Sequence, residues 1–333
     1  MLWLILTGLI LTTLTLADTA TVRALEARAE NFQAAAANVR KIQAPEQIEP
    51  ATCDALTTVS TIHSSGAIAE ASPLYIDQAP NMPLTMYDSS VGFGEILGVH
   101  DPYSTGVWVE AALAKALMLG PGDSLTTSAG PLSISAVFDW PADGRDARLS
   151  YAVIQPTASR VTFDECWTSA WPVTPDNDTI MASTARLPTT TMSAQVGQVN
   201  KNLGAELDAN RLYRERITRH IGWVAPITMT LLGFVSVWRR RLEYAGALHA
   251  GQDRASLLLG LMIEALIWAL VGGVVSLVAT AAGSRLLGVT DSLAVWLGST
   301  RIVIWSAFAA AFGAAIGGTI IRERQLFHYF RTR

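Results

Sequence analysis

Over residues 235–283 the chain passes from an apolar run through a burst of arginines and a short amphipathic piece into a second, longer apolar run. Two membrane helices flanking a cytoplasmic connector satisfy that order. Arg239, Arg240 and Arg241 directly follow the apolar stretch 221–238, and Arg254 precedes the next one, so both ends of the connector carry the cations of a cytoplasmic loop. Within it Leu242, Ala245, Leu248 and Ala250 recur at roughly helical spacing, which gives a small helix with one apolar face. A solvated loop with an interfacial helix fits the same pattern and stays open as an alternative.

Composition supports a membrane chain. Half of its 333 residues are hydrophobic, 16% are charged and the mean hydropathy is +0.31, with the apolar excess gathered in a few blocks. The net charge of −4 gives no global reason to expect nucleic acid, and no basic cluster is interleaved with aromatic residues.

The first apolar block, 1–17, is just long enough to cross a bilayer. It reads as an uncleaved first membrane helix or a signal peptide. The helix is favoured, because no Lys or Arg precedes the apolar run as a signal peptide's leading region requires. In the following stretch Val22, Leu25, Ala29, Phe32, Ala36 and Val39 alternate steps of three and four, so a stalk helix is expected over 18–41. Met192, Val196, Val199, Leu203 and Leu207 repeat those steps and predict a second stalk helix over 191–220; ordinary domain helices fit both patterns as well.

Between the stalks, 42–190 consists of short β-rich runs broken by Pro, Gly, Asn and Asp. Strands are expected at 107–109, 124–127, 132–138 and 151–155, with a helix over 110–119 and a turn at Pro121-Gly122-Asp123. Asn177-Asp178-Thr179 reads as a turn. Cys53 and Cys166 both fall in this region, and an even count in an oxidising compartment favours one disulfide over two buried thiols.

Further spans are expected at 221–238, 256–282 and 302–321, with a short external loop over 283–301 and a basic cytoplasmic tail at 322–333. Gly313 and Gly317 form a G-x-x-x-G pair, and Gly272 and Gly273 with Ser276 offer a second close-packing face, within one chain or between two subunits. Glu264 lies inside the third span about two turns from its cytoplasmic end; packing against a polar neighbour is favoured over a proton or substrate site.

The search for catalysis is negative, and no catalytic or metal-ligating residues are assigned. There is no G-x-x-x-x-G-K-[ST] loop, and His63, His100, His220, His249 and His328 lack metal-ligand spacing. Ser65-Gly66 and Ser90-Val91-Gly92 lack a nucleophile-elbow frame. Tyr75, Met82, Met86, Tyr87 and Phe93 either line an outer recognition surface or form core.

The arginine run, Glu243, the Ala245-Gly246-Ala247 step, Gly251, Glu264 and the Gly272-Gly273 pair, in that order, resemble the connector and third membrane helix of FtsX-like permeases of the MacB type. The order of elements around 107–138 is similar to that family's periplasmic core domain. The resemblance implies an α+β chain: a four-helix transmembrane unit with a helical stalk and a large extracytoplasmic mixed α/β domain, in a bacterial plasma membrane. It implies a non-enzymatic permease subunit whose coupling residues are Arg239, Arg240, Arg241, Glu243, Ala245, Gly246, Ala247 and Gly251. The partners implied are a dimer of ABC ATPase subunits carrying ATP and Mg, a second permease subunit identical or related to this one, and membrane lipid, with no cofactor in this chain. The implied outcome is extrusion of a drug, peptide, lipid or lipoprotein. Activation of an extracytoplasmic partner such as a cell-wall hydrolase is the first alternative, and a ligand receptor without an ATPase is the second.

Overall fold

The computed structural model describes residues 1–186 and 195–321. The chain divides into two compact units, one of Met1–Arg28 with Asn210–Arg333 and one of Ala29–Ala209. Ten α-helices are described: α1 (Leu2–Ala34), α2 (Pro50–Asp54), α3 (Phe93–Ile96), α4 (Ala111–Leu117), α5 (Pro175–Ala182), α6 (Ala209–Glu215), α7 (Ile221–Arg239), α8 (Arg241–His249), α9 (Arg254–Leu287) and α10 (Ser292–Ile320). The tail 322–333, with His328, lies outside the described residues.

The second unit is built on a sheet of eleven described strands: β1 (Val39–Ile48), β2 (Ile62–Glu70), β3 (Leu74–Ile76), β4 (Ala79–Leu84), β5 (Met86–Ser89), β6 (Val107–Glu110), β7 (Ser124–Thr127), β8 (Gly130–Phe138), β9 (Val153–Pro156), β10 (Phe163–Ala170) and β11 (Gln195–Gln198). Their order is β11-β1-β10-β2-β5-β9-β6-β8-β7-β3-β4. Pairing is antiparallel apart from β5 with β9 and β6 with β8. β10 lies between β1 and β2, with Cys166 opposite Ile42 on one side and Ala67 on the other. Cys166 is bonded to Cys53 of α2, their Cα atoms 5.9 Å apart, and both are fully buried beside Ile42, Ile48, Phe163 and Met181. Trp108, Trp167, Phe93 and Ile154 form a second core, and Leu125, Ile134, Val109 and Leu113 a third. At the start of α4, Glu110 accepts from the backbone N–H of Ala112 and Leu113, satisfying donors that a helix start leaves open.

Four expectations are corrected. The stalk helix expected over 18–41 ends at Ala34: Ala36 sits in the left-handed region at φ +53°, and Val39 to Lys41 belong to β1. The stretch 191–220 does not form one helix: Gln195–Gln198 pairs antiparallel with Arg40–Gln43 instead, and helix returns only at Ala209. The edge of β1 offers unpaired backbone groups there, Gly197 and Gly204 are poor helix formers, and Gly204 has φ +89°. Met192 lies outside the described residues. The external loop expected over 283–301 is mostly helix. Gly288 ends α9 in the left-handed region at φ +66°, and the Asp291 carboxylate accepts from the N–H of Ala294 to start α10, leaving a link of only 288–291. Asn177 is not in a turn but in the first turns of α5, 1% exposed, accepting from the Thr61 hydroxyl and donating to the Pro172 carbonyl.

In the first unit, the helix Ile217–Arg239, which includes α7, together with α1, α9 and α10, are each long and apolar enough to cross a membrane. Small residues let them close up. A Cβ on Gly313 would collide with the Thr230 backbone, and one on Gly233 with the Ala310 backbone, so α7 and α10 meet main chain to main chain within one subunit. Gly317 faces Val237, Gly273 faces Val303, and Gly272 faces Thr7 and Gly8 of α1. The α1–α9 seam adds hydroxyl contacts, Thr15 to Ser276 at 3.0 Å and Thr280 to Thr15 at 2.9 Å, all buried.

Two measurements test this packing. Replacing Gly313 with Leu should collapse the α7–α10 contact and reduce the folded yield in detergent sharply; unchanged yield and thermal midpoint would contradict the approach. The disulfide closes a separation of 113 residues, so C53S/C166S should lower unfolding stability by about 3–5 kcal/mol in urea titrations. Equal midpoints with and without reductant would contradict it.

Candidate functional site

The connector 239–255 is short, and its local chemistry explains its shape. α7 ends at Arg239, one residue turns, and α8 begins at Arg241. α8 stops in a Schellman motif: the N–H of Gly251 donates to the Leu248 carbonyl and that of Gln252 to the Ala247 carbonyl, at 3.1 Å each, with Gly251 at φ +92°. Asp253 then caps α9 by accepting from the N–H of Ala255 and Ser256. Turn, cap and helix follow one another with no slack residue.

Arg240 is the hub. Its guanidinium donates to Glu243 of α8 and to Glu264 of α9, each at 2.9 Å, and it lies 5.1 Å from the Tyr244 ring centre. The hydrogen bond to Glu243, above all, pushes its pKa up, so it stays cationic. Glu264 is thus a structural partner tying α9 to the α7–α8 junction. Because the Arg240 and Glu264 side chains are 42% and 52% exposed, each tie is worth about 0.2–1 kcal/mol after screening. Arg239 lies over Trp3 at 6.0 Å and Arg241 over Trp238 at 5.1 Å.

The face of α8 divides cleanly. Ala245 is fully buried and Leu248 nearly so, packed in the same core as Leu232, Leu257, Leu261 and Ala265. Ala245 therefore anchors the helix and presents nothing to a partner. Glu243 is exposed, and Gly246 and Ala247 are half-buried. Among the described residues no atom lies within 4 Å of where a Cβ on Gly246 would stand, so none of them requires a glycine there, whereas Gly251 is required by its own turn.

A charged cluster that no sequence motif announces lies on the sheet of the second unit. Lys41 donates to Asp146, and Arg148 donates to both Asp146 (2.9 Å) and Glu165 (2.9 and 3.0 Å). Glu165 also accepts from Gln43 and from the Trp167 indole N–H at 2.7 Å. Burial works to raise Glu165, but the bonds from Arg148, Trp167 and Gln43 outweigh it and hold the carboxyl below the usual range. Asp146 is lowered in the same way, burial being outweighed by Lys41 and Arg148. Lys41 and Gln43 lie more than a hundred positions from Asp146, Arg148 and Glu165; the pairing of β1 with β10 sets Gln43 opposite Glu165, and the loop before β9 brings Asp146 and Arg148 to them. Beside them runs a groove of ≈ 550 Å³ lined in part by Glu46, Glu70, Tyr87, Arg148, Asp164 and Glu165. Of its carboxylates, Glu165 is paired with Arg148 and Asp164 with Arg160.

Of the outer aromatic and Met candidates, Tyr87 and Phe93 are core, while Tyr75 and Met82 are exposed. Ser90 donates to the Asp54 carboxylate at 2.6 Å and accepts from the Ala67 N–H, a structural link between loops. Burial, above all, raises the Asp54 carboxyl. Among the described residues no three His, Cys, Asp or Glu side chains gather in a way that could hold a metal.

No protein-family model matches the chain, and no curated protein matches it. Solved structures are similar to it. One is the periplasmic region of MacB from Actinobacillus actinomycetemcomitans, 11% identical with a TM-score of 0.37, covering 51% of this chain and 92% of that one. A domain of a putative permease protein from Porphyromonas gingivalis is 9% identical, with a TM-score of 0.35 and coverages of 55% and 98%. The extracellular domain of the noncanonic ABC-type transporter YknZ from Gram-positive bacteria is 10% identical, with a TM-score of 0.32 and coverages of 43% and 88%.

The charged cluster gives a pH test. A carboxyl lowered by folding stabilises the protein above its unfolded pKa, about 4.3 for Glu, and that contribution is lost as pH falls through the folded value. E165Q should cost about 1–3 kcal/mol at pH 7, discounted for the partial exposure of Arg148. Its deficit should shrink as unfolding is repeated from about pH 5 down to 3. A deficit constant over that range would contradict the ionic role of Glu165.

Proposed function

We propose that this chain is the permease subunit of an ABC system of the FtsX-like, MacB type, and that α8 is where a separate ATP-hydrolysing subunit docks. The observation that carries the reading is the divided face of α8. Its buried side, Ala245 and Leu248, fixes it to the helical unit, while Gly246 and Ala247 lie on the more open side with room for a close approach. The cations Arg239, Arg240, Arg241 and Arg254 support a cytoplasmic connector, and with it an extracytoplasmic Ala29–Ala209 unit following the first span.

In this reading ATP and Mg belong to a dimer of partner ATPases. Closure of that dimer displaces α8, and Arg240 passes the displacement to α7 and to α9 through Glu264. Two permease subunits, identical or related, complete the assembly. Its work is the extrusion of a drug, peptide, lipid or lipoprotein from the extracytoplasmic side, driven by a change of shape in the outer unit.

The test is affinity purification of the full chain from its native membrane in mild detergent, with mass spectrometry of what remains bound. The parent should carry an ABC ATPase in stoichiometric amount, and G246R/A247R should lose at least nine-tenths of it while keeping its thermal midpoint. Retention of the ATPase by the variant would refute the docking site. A folded parent that carries no ATPase would refute the permease reading.

A further inference from the structure

The end of the helical unit opposite α8 carries a pattern used by neither the packing nor the docking reading. Arg219, Trp223, Pro226 and Thr230 are spaced by four, three and four residues, and so are Arg301, Trp305, Phe308 and Phe312. Steps of four, three and four place Trp223, Pro226 and Thr230 along one face of α7 and Arg301, Trp305, Phe308 and Phe312 along one face of α10; Arg219 lies in the tighter turn 217–220 that leads into α7. The two faces meet. Trp223, Pro226, Thr230, Trp305, Phe308 and Phe312 line one cavity of ≈ 490 Å³ between α7 and α10.

The groove is open and strongly apolar. Trp223 is 75% exposed, Trp305 67%, Phe308 60% and Phe312 62%. Arg219 and Arg301 each stand four positions before the first aromatic residue that α7 and α10 contribute to the groove, Trp223 and Trp305. α7 and α10 run in the same direction, since Gly233 meets Ala310, Gly313 meets Thr230 and Gly317 meets Val237. Counting back from the first two contacts sets Arg301 level with α7 between residues 218 and 224, the turn that holds Arg219. α7 from Ile221 to Arg239 has 19 residues, about 28 Å of rise, which is close to the hydrocarbon thickness. Arg219 and Arg301 therefore lie at the level of the lipid headgroups on the side away from the connector, and the aromatic groove lies just beneath them, at acyl-chain depth.

Both cations lack an acidic partner among the described residues. Arg219 donates only to the His220 ring and the Arg214 carbonyl, and Arg301 makes no described ion pair. The neighbouring acids are engaged: Asp18 by Arg216, Glu215 by Arg211 and Asp291 by the start of α10. A second copy docked by the same face would bring these unpaired arginines toward one another in an apolar setting, which costs energy. An anionic amphiphile meets both requirements at once.

We propose that the α7–α10 groove is a specific site for one anionic phospholipid of the extracytoplasmic leaflet, its phosphate held by Arg219 and Arg301 and one acyl chain lying against Trp223, Trp305, Phe308 and Phe312. Planar guanidinium groups match phosphate oxygens, and tryptophans at the membrane boundary hold the depth of the chain. The site draws on the membrane-spanning part of the functional reading and stands independently of any ATPase.

The test uses the full chain in mild detergent, with phosphatidylglycerol and phosphatidylcholine of identical acyl chains, and native mass spectrometry to count bound lipid. The parent should retain one phosphatidylglycerol with a preference of about tenfold or more over phosphatidylcholine, since each arginine near a phosphate adds roughly a fivefold factor. R219Q/R301Q should bind both lipids alike, R219K/R301K should keep most of the preference, and F308A/F312A should weaken both lipids together. If the double Gln variant does not fold, R301Q alone should lose about fivefold in preference. A parent without preference, an R219Q/R301Q or R301Q variant with unchanged preference, or near-complete cross-linking of F308C to a second copy would overturn the proposal.

Discussion

The backbone contact between α7 and α10 is the constraint on which the helical unit depends. In a bilayer, burial from water gives helices no reason to associate, so they must gain from close packing. Gly233 against Ala310 and Gly313 against Thr230 remove the side chains that would hold the two helices apart, and Gly317 against Val237 continues the contact. Such a contact has one register, because any side chain larger than hydrogen at these positions collides with main chain. It makes α7 and α10 a rigid pair. The aromatic groove on their outer half follows from this, since two helices locked at their small residues must splay the large ones, Trp223, Trp305, Phe308 and Phe312, to the side.

The α1–α9 seam works by a different chemistry. Gly272 lets α1 approach at Gly8, and beyond that point Thr15, Ser276 and Thr280 close a buried ladder of hydroxyls. Hydroxyls in an apolar medium hold one another because the alternative partner, water, is absent. The same economy operates on the sheet of the outer unit, where Glu165 is buried only because Arg148, Gln43 and the Trp167 N–H all reach it.

How much of this was legible in the residues varies with the range of the interaction that decides it. The strands and helix around 107–138 and the connector helix were readable, because turn residues, caps and apolar spacing act within a few positions. The glycine pairs were readable as close-packing sites, though not their partners: Gly313 fits Thr230, some eighty residues away, and only the fold supplies that. The region 191–220 was misread because steps of three and four also suit apolar residues at the end of a strand, and the open edge of β1 outweighed a weak helical preference. The same fine spacing between 283 and 301 hid a short turn, since Gly288 and Asp291 act as caps whose strength sequence pattern alone does not rank. The charged cluster escaped notice because its members sit on β1, β10 and the loop before β9.

These contacts differ in stiffness in a way that bears on function. The α7–α10 and α1–α9 seams are made of main chain, glycine and buried hydroxyls, which admit few alternative arrangements. Beside its buried anchors Ala245 and Leu248, the polar ties of α8 are made of long side chains: Arg240 to Glu243 and Glu264, Arg239 over Trp3, Arg241 over Trp238. Each such tie is worth at most about 1 kcal/mol and tolerates rotation about several bonds. In the docking reading proposed above, a force applied to α8 would be met first by these polar ties and then by the close-packed pairs, so the ties would set the direction of motion and the pairs would carry it. A segment with stiff ties would resist docking, and one with no ties would transmit nothing. The graded arrangement around Arg240 lies between those limits, which is where a segment must lie if it is to be both grasped and followed.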